Sequence, residues 1–301
     1  MEIKYLTNDT IDKQKWDACI ANADNSLVYA YSFYLDAMAE HWDALIVDDY
    51  EVVMPLTWEK KYGISYLYQP PFTQQLGIFS SRPITTEIQE EFIATIKKEF
   101  SFVEIFLNTS NGNSNIKQHT NLILPINTLY ANIRANYKTD LLKNLKHTEK
   151  FSLRYMSDGN YDEAIDTYIK EYADRTPHVK DRHYSAFRNV CKLLAEKKML
   201  FVRKTVSADN KLLAIALLLK DKKRIYNIMS TVLPAGRKSE ANHFLFDELI
   251  KEFAGKIEIV DFEGSDIERI ATFYKKFGAV NEPYYYFRYN NLPWPLHYFK
   301  K

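Results

Sequence analysis

The sequence predicts a mixed α/β protein of two domains, and three observations carry that prediction. Its 301 residues leave room for about two domains at roughly 100–200 residues each. Strands alternate with helical patterns along most of the chain, the mark of α/β layering. Two stretches, Trp42 to Leu107 and Met199 to Phe262, repeat one order of elements: three meandering strands, a loop with Pro or Gly, a helix and a strand. Shared order without residue identity points to a duplicated architecture, with a single mixed sheet as the alternative. On the duplicated reading the domains are 1–127 and 128–301, each with its own sheet, around a shared groove, and the last strand is free to return to the first domain.

In order, the pattern predicts a strand at Ile3 to Leu6 and an amphipathic helix at Ile11 to Ala23 capped by Asp9 or Thr10. A helix at Ser32 to Glu40 precedes strands at Ala44 to Val47, Val52 to Trp58 and Ile64 to Tyr68. After the rigid Pro70-Pro71 loop come a helix at Thr86 to Phe100 and a strand at Phe102 to Leu107. Asn108 to Asn115 reads as a solvated loop by composition. Beyond a strand at Asn121 to Ile126, one helix is expected over Leu129 to Lys150, carrying a basic stripe of Lys143, His147 and Lys150 that continues to Arg154. Helices at Tyr161 to Ala173 and His183 to Glu196 flank the basic loop of Arg175, His178, Lys180 and Arg182. Strands follow at Leu200 to Thr205, Leu212 to Leu219 and Arg224 to Ser230, then a helix over Leu233 to Phe253, a strand at Ile257 to Phe262 and a further helix. Tyr284 to Tyr289 alternates as a final strand.

The composition is that of an ordinary globular chain, with 46% hydrophobic and 26% charged residues. A formal net charge of +1 argues against a chain built as a whole to coat nucleic acid or an anionic membrane. The N-terminal stretch lacks the basic start and apolar centre of a secretion signal. The longest apolar run, Leu212 to Leu219, is far below the ~20 residues of a membrane span. The expectation is a cytoplasmic protein with no transmembrane segment. Cys19 and Cys191 are expected as buried thiols, with no disulfide and no metal site.

The candidate site lies at the ends of the two late strands. A strand that runs into Pro234-Ala-Gly236-Arg-Lys-Ser239 and then a helix aims backbone N–H groups at one point, a seat for an anion or a polarised carbonyl. Arg237 and Ser239 would meet a phosphate there, or else lie in solvent. Asn242 and His243, one turn on, face either cleft or core. Tyr226 and Ser230, four apart on one strand, are expected on the same face, lining an acceptor pocket. Glu263 is the candidate general base, because it follows a buried strand and precedes Gly264-Ser265, whose backbone can approach a ligand closely. The alternative is that Glu263 only complements a helix dipole.

The segments "YKTDLLKNLKHTEKFSLRY" (Tyr137 to Tyr155), "RIYNIMSTVLPAGRKSEANHFLFDELI" (Arg224 to Ile250) and "IEIVDFEGSDIERIATFYKKFGA" (Ile257 to Ala279) resemble, in order, signature segments of the FemABX-like peptidyltransferases. That family is built of two tandem GNAT-like domains. The resemblance implies this fold and an acyltransferase that forms an amide on an amine-bearing acceptor. It implies an acyl donor that is either aminoacyl-tRNA or acyl-CoA, with no tightly bound cofactor. The implied acceptor is a cell-wall (peptidoglycan) precursor, as a nucleotide-sugar peptide or a lipid-linked form. The other classes are an acetyl-CoA-dependent N-acetyltransferase and a non-catalytic binding module. The family's Phe-Lys-x-x-Phe-Gly signature stands here as Phe273-Tyr-Lys-Lys-Phe277-Gly278, with Tyr274 at the place of the lysine and Lys275 one position later. By the same resemblance Arg175 and Arg182 would overhang the cleft as substrate contacts.

Overall fold

A computed structural model of the chain describes residues 2–112, 116–263 and 266–299, which fall into two compact units. The first spans residues 1–119 and 283–301, the second 120–282. In the first unit the elements are β1 (Ile3–Leu6), α1 (Lys13–Asn22), α2 (Ser32–Met38), β2 (His41–Val47), β3 (Val52–Lys61), β4 (Ile64–Tyr68), β5 (Phe79–Ser80), α3 (Thr86–Glu99), β6 (Phe102–Leu107) and β7 (Lys117–His119). In the second they are β8 (Leu122–Pro125), α4 (Tyr130–Arg134), α5 (Thr139–Thr148), β9 (Arg154–Met156), α6 (Tyr161–Tyr172), α7 (Asp181–Glu196), β10 (Leu200–Val206), β11 (Leu212–Lys220), β12 (Arg224–Val232), α8 (Pro234–Lys238), α9 (Ala241–Phe253), β13 (Ile259–Asp261), α10 (Glu268–Lys275) and β14 (Val280–Asn281). The chain then returns to the first unit as β15 (Tyr284–Asn290).

The two sheets repeat one plan. The first runs β1-β2-β3-β4-β6-β15-β7 and the second, read the same way, β9-β10-β11-β12-β13-β8-β14. Each has an antiparallel meander whose last strand pairs in parallel with the strand after the helical crossover: Tyr66↔Phe102 to Tyr68↔Glu104 in one, Arg224↔Ile259 to Tyr226↔Asp261 in the other. The penultimate strand of each sheet comes from the other half of the chain. Strand β8 follows β7 in sequence yet pairs with β13 and β14, and β15 follows β14 yet pairs with β6 and β7. This exchange puts the change of unit at Thr120, ahead of the expected 127/128, and adds residues 283–301 to the first unit.

Local chemistry sets some element ends and long-range contacts set others. Helix α1 is capped by Asp12, whose carboxylate accepts from the N–H groups of Gln14 and Lys15 at 3.1 Å each. The expected caps Asp9 and Thr10 lie instead in a preceding short 3-10 turn. Asn108 to Asn111 is no solvated loop, since the side chains of Asn108 and Asn111 are buried and donate to the carbonyl of Ile78 at 3.2 and 3.3 Å. Two expected helices are each broken in two. Between α4 and α5 the Lys138 N–H is drawn to the Lys276 carbonyl at 2.9 Å, and Tyr137 packs edge-on to Phe277 with ring centroids 5.4 Å apart. Between α8 and α9 the chain turns through Glu240 at φ +56°.

In the second unit Ala214, Ala216 and Leu218 join Leu141, Phe246 and Phe277 in one core. The alternate residues Ile215, Leu217 and Leu219 are as fully buried on the other face, where α6 packs. Covering both faces is why β11 reads as a continuous apolar run. Each fully buried side chain such as Phe246 contributes about 1.5–3 kcal/mol. Cys191 is buried and Cys19 only partly so, and both are free thiols. Among the described residues no helix is long and apolar enough to cross a membrane.

Candidate active site

The site forms where β12 and β13 part. Their pairing ends at Tyr226↔Asp261, while β12 continues to Val232, so from Asn227 onward this edge of β12 has no strand partner among the described residues. On its other edge the register with β11 passes from Leu218↔Asn227 to Leu217↔Met229, which leaves Ile228 as a one-residue bulge. The bulge resets the alternation beyond it. Ser230 therefore stands by Asn227, whose Nδ2 is 3.5 Å from the serine hydroxyl, and not beside Tyr226 as the four-residue spacing predicted. Tyr226 is fully buried, and its hydroxyl donates to Asp221 Oδ2 at 2.5 Å, which removes it from the pocket lining.

Asn227, 4% exposed, also donates from Nδ2 to the Tyr274 hydroxyl of α10 at 2.9 Å. Tyr274 stacks on Phe262 with centroids 4.3 Å apart. Burial pushes its phenol up to about 12, against the pull of hydrogen bonds with Ser230 and Asn227, and Tyr172 and then Glu263 add to the rise. Glu263 stands at φ +60°, its N–H donating to Asp261 Oδ1 at 2.9 Å, and burial pushes its carboxyl up to about 8. Asp261 is itself buried, with Oδ2 accepting from Arg224 Nη1 at 3.1 Å and Asn121 Nδ2 at 3.2 Å. Arg224 in turn makes two contacts to the Glu282 carboxylate, at 2.6 and 2.8 Å. The helix-dipole alternative for Glu263 loses its basis, because α10 starts only at Glu268, which is itself the acidic residue of the first turn.

The other sequence-predicted residues do not converge on this notch. Gly236 is a packing residue, since a Cβ there would lie 2.1 Å from the Leu213 carbonyl oxygen and drive α8 off β11. The expected anion seat is thus a five-residue helix pressed on the sheet, with the Ser239 hydroxyl turned onto the Gly236 carbonyl at 3.2 Å. Arg237 is half-exposed and reaches Glu171 at 4.0 Å. Asn242 is partly buried at the start of α9. His243 pairs with Glu240 at 2.8 Å and packs on Phe273 at 4.8 Å, and burial holds its pKa down. Lys275 is exposed, since it follows Tyr274 by about 100° around α10. Arg175 stacks on Tyr172 at 4.9 Å and Arg182 donates to His183 at 3.2 Å, both exposed. Gly264 and Ser265 lie outside the described residues. Sequence reasoning missed Asn227, whose signal was a lone amide inside the apolar strand Arg224 to Val232, and Asn121 and Arg224, which carried none.

The corresponding opening in the first unit is filled by its own chain. Leu76 bridges to Leu107, donating to the Phe106 carbonyl and accepting from the Asn108 N–H, each at 2.8 Å. Gln69 closes the same edge by accepting from the Phe106 N–H at 3.1 Å.

Residues 132–276 match the family model described as acetyltransferase (GNAT) domain. Among solved structures the chain is similar to FemX, with 12% identity, 99% of each chain covered and a TM-score of 0.69. It is similar to a tandem GNAT protein from the clavulanic acid biosynthesis pathway, with 12% identity, 97% of this chain and 99% of that one covered, and a TM-score of 0.55. A conserved protein of unknown function from Bacteroides thetaiotaomicron aligns at 10% identity over 95% of this chain and 99% of that one, with a TM-score of 0.56. No curated protein matches the sequence. The chain therefore has the tandem GNAT fold, structurally FemX-like.

Proposed function

We propose that this chain is an acyl- or aminoacyltransferase that forms an amide on an amine-bearing acceptor at the notch between β12 and β13. One observation supports it above the rest: a carboxyl raised to about 8, that of Glu263, stands in electrostatic reach of a buried phenol, that of Tyr274, beside an open strand edge. A pair of titrating groups pushed to different values suits acid and base roles at one centre. The acceptor nitrogen attacks the acyl carbon and the new C–N bond forms. Glu263 takes the proton the amine gives up, and backbone N–H groups on the stretch of β12 beyond its pairing with β13 face the developing oxyanion. The C–O or C–S bond then breaks, the leaving group keeps the electron pair, and an alkoxide is protonated by Tyr274.

The donor class is aminoacyl-tRNA or an acyl-CoA. The acceptor class, by the resemblance of the sequence segments, is a cell-wall precursor peptide on a nucleotide sugar or a lipid carrier. Thermal shift against acetyl-CoA, a nucleotide-sugar peptide and a short acylated RNA tests this, because a ligand of the native state raises the melting temperature by mass action. A shift with acetyl-CoA and none with the other two favours an acetyltransferase. No shift with any of the three, together with undisturbed biological activity in Glu263→Gln, would leave a binding module.

A further inference from the structure

We infer that Asp261 is a positioning residue whose buried carboxylate holds the Glu263 main chain in the left-handed region and so fixes where the Glu263 side chain stands. This rests on the reading of Glu263 as the base. A glutamate at φ +60° is unfavourable for an L-residue with a long side chain, and neither Gly nor Asn is there to ease it. Something outside the residue must hold it. The Glu263 N–H donates to Asp261 Oδ1 at 2.9 Å, an i to i+2 bond that turns the chain at once after β13. The other oxygen of Asp261 is fixed by Arg224 at 3.1 Å and Asn121 at 3.2 Å, so the carboxylate cannot rotate without giving up two buried donors. Arg224 is anchored in turn by Glu282. The same turn stops β13 at Asp261 and opens the notch, so one carboxylate both ends the strand pair and presents the base.

The test is the titration of the Glu263 carboxyl by carbon NMR, assigned by the signal that Glu263→Gln removes. It compares the wild type with Asp261→Asn and Asp261→Ala. Both variants delete the Asp261 charge, which by itself lowers the Glu263 midpoint. Only Asn keeps an oxygen for the Glu263 N–H, while in both variants Arg224 and Asn121 lose the oxygen they share. The expected result is a midpoint near 8 in the wild type, a modest fall in Asn, and a further fall in Ala toward the ordinary glutamate value of about 4.3 as the side chain swings into water. Equal midpoints in folded Asn and Ala variants overturn the inference. Should Ala fail to fold, hydrogen exchange at the Glu263 amide of the wild type decides: slow exchange is expected for a bond to a buried carboxylate, and exchange at the free-peptide rate overturns it. Full turnover in Glu263→Gln would remove the base while leaving these titrations as they are, so the two claims fail separately.

Discussion

Glu263 is the base in the reaction we propose, and its raised pKa gives two opposite pH signatures. Because the folded value of about 8 lies above the ordinary glutamate value, ionisation opposes folding; the stability linked to the neutral form is present at low pH and is lost as pH rises toward 8. Glu263→Gln has no such loss, so its melting temperature should gain on the wild type between about pH 4.3 and 8. Turnover should move the other way, rising with pH in the wild type and falling by roughly 10²–10⁴-fold in the variant, with little change in KM. Single-turnover rates and melting curves on the same samples check both. Tyr274→Phe keeps the stack on Phe262 but deletes the hydroxyl that Asn227 bonds. It should lower the rate with an ester donor by about 10–10³-fold and hardly change that with a thioester, whose leaving group is the weaker base. Equal losses with both donors would place Tyr274 in binding.

At the scale of elements, single-residue irregularities set the site. The Ile228 bulge exchanges Tyr226 for Asn227 as the partner of Ser230, and the turn at Asp261 separates β12 from β13. Gly236 lets α8 lie against β11, so Gly236→Ala should cost about 1–3 kcal/mol through overpacking against the Leu213 carbonyl, measured by urea denaturation. A neutral result would mean that α8 moves freely and that Gly236 serves something other than packing. In the first unit Asn111 accepts from the buried Ile78 N–H at 2.6 Å. Asn111→Ala should destabilise by about 1–3 kcal/mol, because that donor is left without a partner; an unchanged denaturation midpoint would contradict the role.

The whole molecule is built by exchange of one strand between two similar halves, and this decides how it can be divided. Removing residues 283–301 takes β15 from between β6 and β7 and leaves the β6 edge open. The truncated chain should lose the cooperative melting of its first unit and self-associate, as read by calorimetry and size-exclusion chromatography. Wild-type melting of the truncated, monomeric chain would refute the structural role of the exchange. Cutting at 127/128 should fail similarly, since β8 would stay with the wrong fragment.

Element type and order were legible in the sequence because they rest on local periodicity, from the amphipathic stripe of α3 to the apolar run of β11. So were the strand ends that carry Ser230 and Glu263, since a buried strand followed by polar and Gly-containing turns is a local signal. The helix breaks at Lys138 and Glu240 were not, because a contact with Lys276 and the packing of α8 on β11 impose them from far along the chain. The bulge at Ile228 was invisible for the same reason, being a matter of register between two strands. The Arg224–Asp261–Glu282 cluster and the β8/β15 exchange join residues distant in sequence. Local propensity and pattern thus determined what each segment becomes, whereas long-range hydrogen bonding and close packing decided which residues meet, since those interactions exist only once the chain has closed on itself.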